Sequence, residues 1–217
     1  LVATVEKALP DDERVLALDR GLVNFDKGQI VPQNVEGIRA EDPDHLWTAH
    51  WSGMDAGTVS SENSDFADLI DLDGYYAFNY PLTYEKDLEQ YSQRSGRPLI
   101  HLDMSYETEW GGDPAEIRRR AYDAILSGAA GSSFNAGPDW YLFRNFRKMD
   151  TPGTRETQHW FKLFSSQPWH ELTPDVDHSA LTDGFGARGS TDYVCAAHTP
   201  DYRLIMAYLA NGGSVTV

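Results

Sequence analysis

The stretch Arg97-Pro-Leu-Ile-His-Leu-Asp-Met-Ser-Tyr-Glu-Thr-Glu-Trp110 decides the fold that we predict for this chain. Its apolar run, residues 99–102, has the length of a strand that is buried on both faces. Carboxylates and aromatic side chains follow this run, beginning with Asp103. In α/β folds, active-site groups lie at the carboxyl ends of the strands. The stretch therefore predicts a buried strand that ends at a functional site, although a carboxylate here is also typical of a helix cap.

Strand and helix patterns alternate on both sides of this stretch, through about the first 170 residues. Strands are predicted at 14–18, 45–51, 74–80, 99–102 and 129–134. Helices are predicted at 31–40, 65–72, 81–95, 114–127 and 154–165, the last of them packing Phe161 and Phe164. Between them, residues 52–63 have the polar composition of a loop. The run Arg118-Arg119-Arg120 is predicted to form a solvent-exposed helix face.

This alternation predicts a parallel sheet flanked by helices. A complete (β/α)8 barrel needs about 250 residues. We therefore predict that residues 1–172 form the C-terminal portion of a (β/α)8 barrel. A doubly wound α/β sheet is the alternative, but the chain contains no glycine-rich phosphate loop.

The pattern then changes to short β runs without intervening helices. Such runs occupy 191–198 and 203–209, a turn follows at 211–213, and residues 214–217 begin another strand. We therefore predict that residues 173–217 are the start of an all-β sandwich domain. Because a partial barrel exposes unpaired strand edges, we also expect its remaining strands to come from a longer chain or from another copy.

Composition excludes several classes of partner. The net charge of −16 argues against nucleic acid and anionic membranes, because both require a basic surface. No apolar run approaches the roughly 20 residues of a membrane span. The single cysteine, Cys195, cannot form an internal disulfide and is expected to be a small buried hydrophobe.

Several motifs occur in the order and spacing of one known family. They are Val15-Leu-Ala-Leu-Asp-Arg20, Asp42-Pro-Asp-His-Leu-Trp-Thr-Ala-His50, the segments 73–79, 98–107 and 122–134, and Pro168-Trp169. Together they resemble the apiosidase-like glycoside hydrolases, whose (β/α)8 barrel precedes a β-sandwich. The resemblance implies that this chain holds barrel strands four to eight. It also implies a secreted or periplasmic protein that acts on a plant, algal or microbial polysaccharide or oligosaccharide.

The resemblance also implies roles for individual residues. Hydrolysis of a glycosidic bond uses two carboxylates, and the family pattern makes Asp19 the general acid/base and Asp103 the nucleophile or base. Glu107 is the alternative second carboxylate. The expected substrate-binding residues are His50 and Asn79, which would hydrogen-bond sugar hydroxyls, and Trp51, Tyr80, Tyr106, Trp110 and Trp140. This chemistry needs no cofactor, and we expect none.

The chain departs from the family pattern at three positions. Ala17-Leu18 replaces Gly-Gly, Asp103 replaces Glu, and Phe134-Asn135 replaces Tyr-Gly. An Asp carboxylate lies one methylene further back, and a displacement of about 1 Å can cost about 10²-fold in rate. The departures at Ala17-Leu18 and Asp103 favour an alternative function, a carbohydrate-binding or structural barrel that has lost catalysis.

A metal-dependent hydrolase is a third hypothesis. His50, His101 and Asp103 are residue types that bind zinc. The chain has neither an H-x-H nor an H-E-x-x-H spacing, however. His101 is also predicted to point away from the mouth of the barrel.

Overall fold

The computed structural model describes residues 30–50, 57–78, 80–93, 96–108, 112–135 and 150–217. Its first part contains α1 (Ile30–Glu41), β1 (Thr58–Val59), α2 (Ser64–Ala67), β2 (Asp73–Tyr76), α3 (Thr83–Gln93), β3 (Leu99–Asp103), α4 (Pro114–Leu126), β4 (Gly131–Ser132) and α5 (Pro152–Ser165). Strands β5 (Thr173–Pro174), β6 (Ala196–His198) and β7 (Ile205–Ala207) follow. Short 3-10 helices occupy Ser60–Glu62 and Trp169–Glu171. None of the helices within these ranges is long and apolar enough to cross a membrane.

Strands β1 to β4 form one sheet in the order of the sequence. Strand β2 pairs in parallel with β3, and β3 pairs in parallel with β4. Because α3 joins β2 to β3 and α4 joins β3 to β4, this part of the chain consists of two βαβ units. The predicted parallel sheet with intervening helices is therefore confirmed for these strands.

The N-terminal edge of this sheet differs from the prediction. Residues 57–59 were expected in a loop, yet β1 pairs antiparallel with β2. Residues 45–50, expected in a strand, form none. The carbonyl of Trp47 accepts hydrogen bonds from the amides of Asp71 and Leu72, and Ser60 Oγ donates to the carbonyl of Ala49. These backbone groups are therefore occupied by turns and side chains rather than by a neighbouring strand.

Helix α4 begins where the sequence predicts. The Asp113 side chain accepts a hydrogen bond from the Ala115 amide at 2.8 Å, and Pro114 occupies the first turn. Beyond the other end, Gly128 has φ +99°, and a Cβ there would lie 2.4 Å from Tyr91 Cδ2. Only glycine meets both conditions without strain, so helices α3 and α4 can approach closely at this point.

The predicted solvent-exposed arginine face on α4 is wrong for two of its three residues. Arg119 and Arg120 are buried, with 7% and 2% of their surface exposed. Arg120 lies one helical turn from both Ile117 and Ala124, so it shares their buried face. Its guanidinium is tolerated there because it bonds to backbone carbonyls after β2 and to Glu116.

The C-terminal sheet, in the order β5-β6-β7, is antiparallel and packs on the helices. Their shared core consists of Tyr84, Leu88, Ile125, Leu126, Phe164, Tyr193, Cys195 and Ala197. Cys195 is buried, as predicted. Phe161, expected to pack with Phe164, is instead 63% exposed. Near the C-terminus only an isolated bridge between Thr216 and Asp183 forms, rather than the predicted strand 214–217.

Candidate active site

The carboxyl ends of β2 and β3 lie side by side. Tyr76, the last residue of β2, is opposite Asp103, the last residue of β3. The pairing is irregular between Tyr75 and Tyr76, so it advances from His101 directly to Asp103. Such irregularities re-aim side chains next to functional sites. The edge of the parallel sheet at which α/β proteins place their chemistry therefore ends in a carboxylate and a phenol.

Asp103 is paired with His50. The distance from His50 Nε2 to Asp103 Oδ2 is 3.0 Å, and the two residues are 53 positions apart in the chain. The aspartate side chain is 16% exposed and that of the histidine 46%, so the pair is accessible from solvent. This hydrogen bond orients the carboxylate through one of its two oxygens.

The second oxygen of this carboxylate, Oδ1, is buried and has no hydrogen-bond partner among the described residues. Leaving a buried acceptor unpaired costs about 1–3 kcal/mol, and more for a charged group. One oxygen of Asp103 is therefore held by His50, and the other has no hydrogen-bond partner among the described residues.

Tyr76 completes the described surroundings of this pair. Its ring meets the imidazole of His50 edge-on, with the ring centroids 4.8 Å apart. Burial, followed by the nearby charge of Asp103, raises the pKa of the Tyr76 phenol. The phenol therefore stays protonated at neutral pH and adds no charge to the site. Tyr76 lies inside the predicted strand 74–80 rather than at its end, so the sequence did not indicate it as a site residue.

Tyr80 and Tyr106 are both half-buried. Tyr80 packs on the core cluster that contains Tyr75, and its hydroxyl lies 3.4 Å from Glu85 Oε2. Burial is the main reason why the pKa of the Tyr80 phenol is raised, and the Glu85 charge adds to it. The ring of Tyr106 is tilted against that of Phe78 at 5.7 Å between centroids. Both aromatic rings thus have packing partners within the protein.

Glu107 is placed differently from Asp103. Only 1% of its surface is exposed. One carboxylate oxygen accepts from the Gly153 amide at 2.9 Å, and the other accepts from the Thr151 hydroxyl. Thr151 is the N-cap of α5, so the carboxylate neutralises the positive end of that helix. This environment favours a structural role for Glu107 over the catalytic role expected as one alternative.

The three proposed zinc ligands do not come together. His101 is fully buried, and its Nε2 lies 2.7 Å from Asp87 Oδ1 rather than near the pair of Asp103 and His50. Within the described ranges, no three His, Cys, Asp or Glu side chains are grouped so that they could hold a metal ion. The zinc hypothesis built on His50, His101 and Asp103 is therefore wrong.

Five of the predicted site residues lie outside the described residues. They are Asp19, Trp51, Asn79, Trp110 and Trp140. The role of Asp19 as general acid/base and the roles of the other four as substrate-binding residues stay predictions.

Comparison with known proteins identifies relatives. The family described as "Apiosidase-like, catalytic domain" matches residues 12–171. No curated protein matches the chain. A solved glycoside hydrolase family 5 protein from Bacteroides vulgatus aligns with a TM-score of 0.64 at 18% identity, covering 77% of this chain and 44% of that one. A second solved glycoside hydrolase aligns with the same score at 17% identity, covering 80% and 47%.

The chain thus spans less than half the length of either solved protein. At this low identity the structural likeness concerns the fold, a mixed α/β arrangement with a parallel sheet. The family match extends over most of the chain and includes β2, β3 and the Asp103–His50 pair. The chain therefore belongs to the apiosidase-like family of glycoside hydrolases.

Proposed function

We propose that this chain carries part of the active site of a glycoside hydrolase that cleaves a plant, algal or microbial polysaccharide or oligosaccharide. The observation that carries the proposal is the Asp103 carboxylate. It ends a parallel strand, is oriented by His50, and has an oxygen without a partner among the described residues. Membership of the apiosidase-like family supports the class of reaction.

In the proposed mechanism Asp103 is the nucleophile or the base, and Asp19 is the general acid/base. The hydrogen bond from His50 orients the carboxylate, which attacks the anomeric carbon or accepts a proton from water. Asp19 gives its proton to the leaving oxygen. The half-exposed imidazole of His50 is also suited to contact a sugar hydroxyl.

The test is hydrolysis of plant and algal oligosaccharides by the full-length protein and its variants. Asp103→Asn keeps the shape of the side chain but removes its charge, and we expect it to lower kcat by at least about 10²-fold. Glu107→Gln is the matched control at a buried carboxylate that we assign to structure. We expect its activity to change less than that of Asp103→Asn once the fraction of folded protein is equal. Equal activity of Asp103→Asn and wild type would contradict the proposal.

The anomer that is released first, read by NMR, adds a geometric test. Retention implies carboxyl groups about 5–5.5 Å apart, and inversion implies about 6.5–9.5 Å. Asp19→Asn should lower kcat on the same substrates. Glycan binding without any turnover by the wild type would favour the alternative, a barrel that has lost catalysis, for which the shorter Asp103 side chain is the specific observation.

We also propose that residues 1–172 belong to a (β/α)8 barrel, as its strands four to eight, and that residues 173–217 begin a β-sandwich. The TM-scores of 0.64 and the parallel order β2-β3-β4 support the first part, and the antiparallel sheet β5-β6-β7 supports the second. The other strands would come from a longer chain or another copy, and the protein would be secreted or periplasmic. A crystal structure of the full-length protein with a closed sheet of fewer than eight strands would contradict the barrel.

A further inference from the structure

We propose that Arg120 is a positioning residue for the Asp103 carboxylate and acts through the β2–α3 loop. This loop is defined by its described residues, Ala77, Phe78, Tyr80 and Pro81. The inference deepens the proposed function and rests on it, because it takes Asp103 as the reacting group. Among the described residues, Arg120 itself forms no hydrogen bond or ion pair with Asp103 or His50.

Arg120 forms hydrogen bonds to the loop. Arg120 Nη1 donates to the carbonyl of Ala77 at 3.1 Å and reaches that of Phe78 at 3.5 Å. The neighbouring Nη2 pairs with Glu116. A planar guanidinium can bond to the loop and to a carboxylate at once, because its donors are fixed in a fork. These two carbonyls, which follow the end of β2, therefore accept hydrogen bonds from a charged side chain on α4.

The loop is also hydrogen-bonded to the residues that carry the site. The Ala77 amide donates to the carbonyl of Asp103 at 3.0 Å. Ser105 Oγ donates to the carbonyl of Phe78 at 2.7 Å. The loop is therefore held from one side by α4 and from the other by the backbone that carries the reactive carboxylate. A shift of Ala77 would move the end of β3 with it.

The far end of the loop is bonded to α4 as well. Arg119 Nη2 donates to the carbonyl of Pro81 at 2.8 Å, while its Nη1 lies 3.1 Å from Asp123 Oδ2. Two consecutive arginines thus bond to carbonyls at both ends of the same loop. Displacement of a reacting group by about 1 Å can cost about 10²-fold in rate. We therefore expect these two arginines, which hold the loop at both ends, to affect kcat.

The experiment compares Arg120→Lys with Arg118→Lys in the full-length protein. Lysine keeps the positive charge but cannot form the fork. Arg118, in the same run, bonds instead to Tyr208 and Glu156, so it is the matched control. We expect Arg120→Lys to lower kcat roughly 10- to 100-fold, with a much smaller change in KM, and Arg118→Lys to leave both near the wild-type values.

A second readout does not depend on turnover. The imidazole NMR signals of His50 report its hydrogen bond to Asp103, so they should shift in Arg120→Lys and stay unchanged in Arg118→Lys. Ser105→Ala loosens the same loop without disturbing a buried charge, and it should shift these signals in the same way. If Arg120→Lys does not fold, the His50 signals of Ser105→Ala test the positioning role.

The outcomes separate the inference from the proposed function. Unchanged His50 signals in Ser105→Ala and in folded Arg120→Lys would overturn the positioning role, even if the wild type is an active hydrolase. A wild type that hydrolyses no glycoside would overturn the proposed function. Shifted His50 signals would still support the link from the loop to Asp103 in that case.

Discussion

Four buried or partly buried carboxylates on and around β3 and α4 show how the surroundings of a residue determine its role. Glu107 accepts hydrogen bonds from two donors at the start of α5. Asp87 is buried and hydrogen-bonded to His101. Asp123 faces Arg119. Asp103 shares with Asp87 a histidine partner and an oxygen without a partner among the described residues, and it differs from the other three carboxylates in being partly exposed.

Asp123 leads to a prediction about pH. Burial is the main cause of a pKa raised to about 7, and the charge of Arg119 only partly opposes it. An unfolded Asp loses its proton near pH 4. Between about pH 4 and pH 7 the folded protein therefore keeps a proton that the unfolded chain has lost. The resulting stabilisation is complete at the acid end and is lost as the pH rises through 7.

We expect Asp123→Asn, which cannot ionise, to remove this pH dependence. Urea unfolding from pH 4 to pH 8 should show the free energy of unfolding of Asp123→Asn rising relative to wild type as the pH increases. Asp68→Asn, at an exposed position, is the control for the removal of one negative charge. A constant difference between Asp123→Asn and wild type would show that Asp123 does not titrate in this range.

At the scale of elements, two helices begin with the same kind of cap but differ in what the cap touches. Asp113 caps α4 at the surface. Thr151 caps α5 by accepting from the Thr154 amide, and it also donates to the buried Glu107. The start of α5 is thereby hydrogen-bonded to Glu107, which follows β3 in the chain.

We predict that Thr151→Ala destabilises the protein more than Asp113→Ala does. Loss of either cap should cost about 1 kcal/mol. Thr151→Ala also leaves a buried carboxylate one donor short, which adds about 1–3 kcal/mol. Denaturant unfolding at pH 7 gives both values, and Thr151→Ser, which keeps the hydroxyl, should restore most of the loss. Equal costs for the two alanine variants would argue against the link between Thr151 and Glu107.

At the scale of the whole molecule, the C-terminal sheet shares its core with α3, α4 and α5. Tyr84 on α3 is fully buried and stacks on Tyr193, with 5.0 Å between ring centroids. Its hydroxyl donates to the carbonyl of Ser190 at 3.0 Å and accepts from the Gly189 amide at 2.8 Å. Residues 173–217 are thus joined to the βαβ units by both apolar packing and hydrogen bonds.

We predict that Tyr84→Phe lowers the stability of both regions together. Each lost hydrogen bond should cost about 0.5–1.5 kcal/mol, and unfolding should remain one transition when followed by fluorescence and by circular dichroism. Tyr91→Phe, at a half-buried tyrosine on the same helix, should cost less. Two separate transitions in Tyr84→Phe would mean that the C-terminal sheet is an independent unit.

The amino-acid sequence by itself determined the features that depend on neighbouring residues. The alternation of apolar runs predicted parallel strands joined by helices, and Asp113-Pro114 marked the start of α4. The position of Asp103 at a strand end followed from the polar residues after the run 99–102. The spacing of Arg120, one turn from Ile117 and Ala124, also indicates a buried position, whereas its charge alone predicts exposure.

Only the tertiary structure decided which distant residues meet. It brought His50 to Asp103 across 53 positions, placed Glu107 at the start of α5, and paired β1 with β2. Local propensity cannot determine such contacts, because they depend on how complete elements pack. A carboxylate at a strand end gives the same sequence pattern whether it caps a helix or faces a ligand. Only its burial and its hydrogen-bond partners in the folded protein distinguish these two roles.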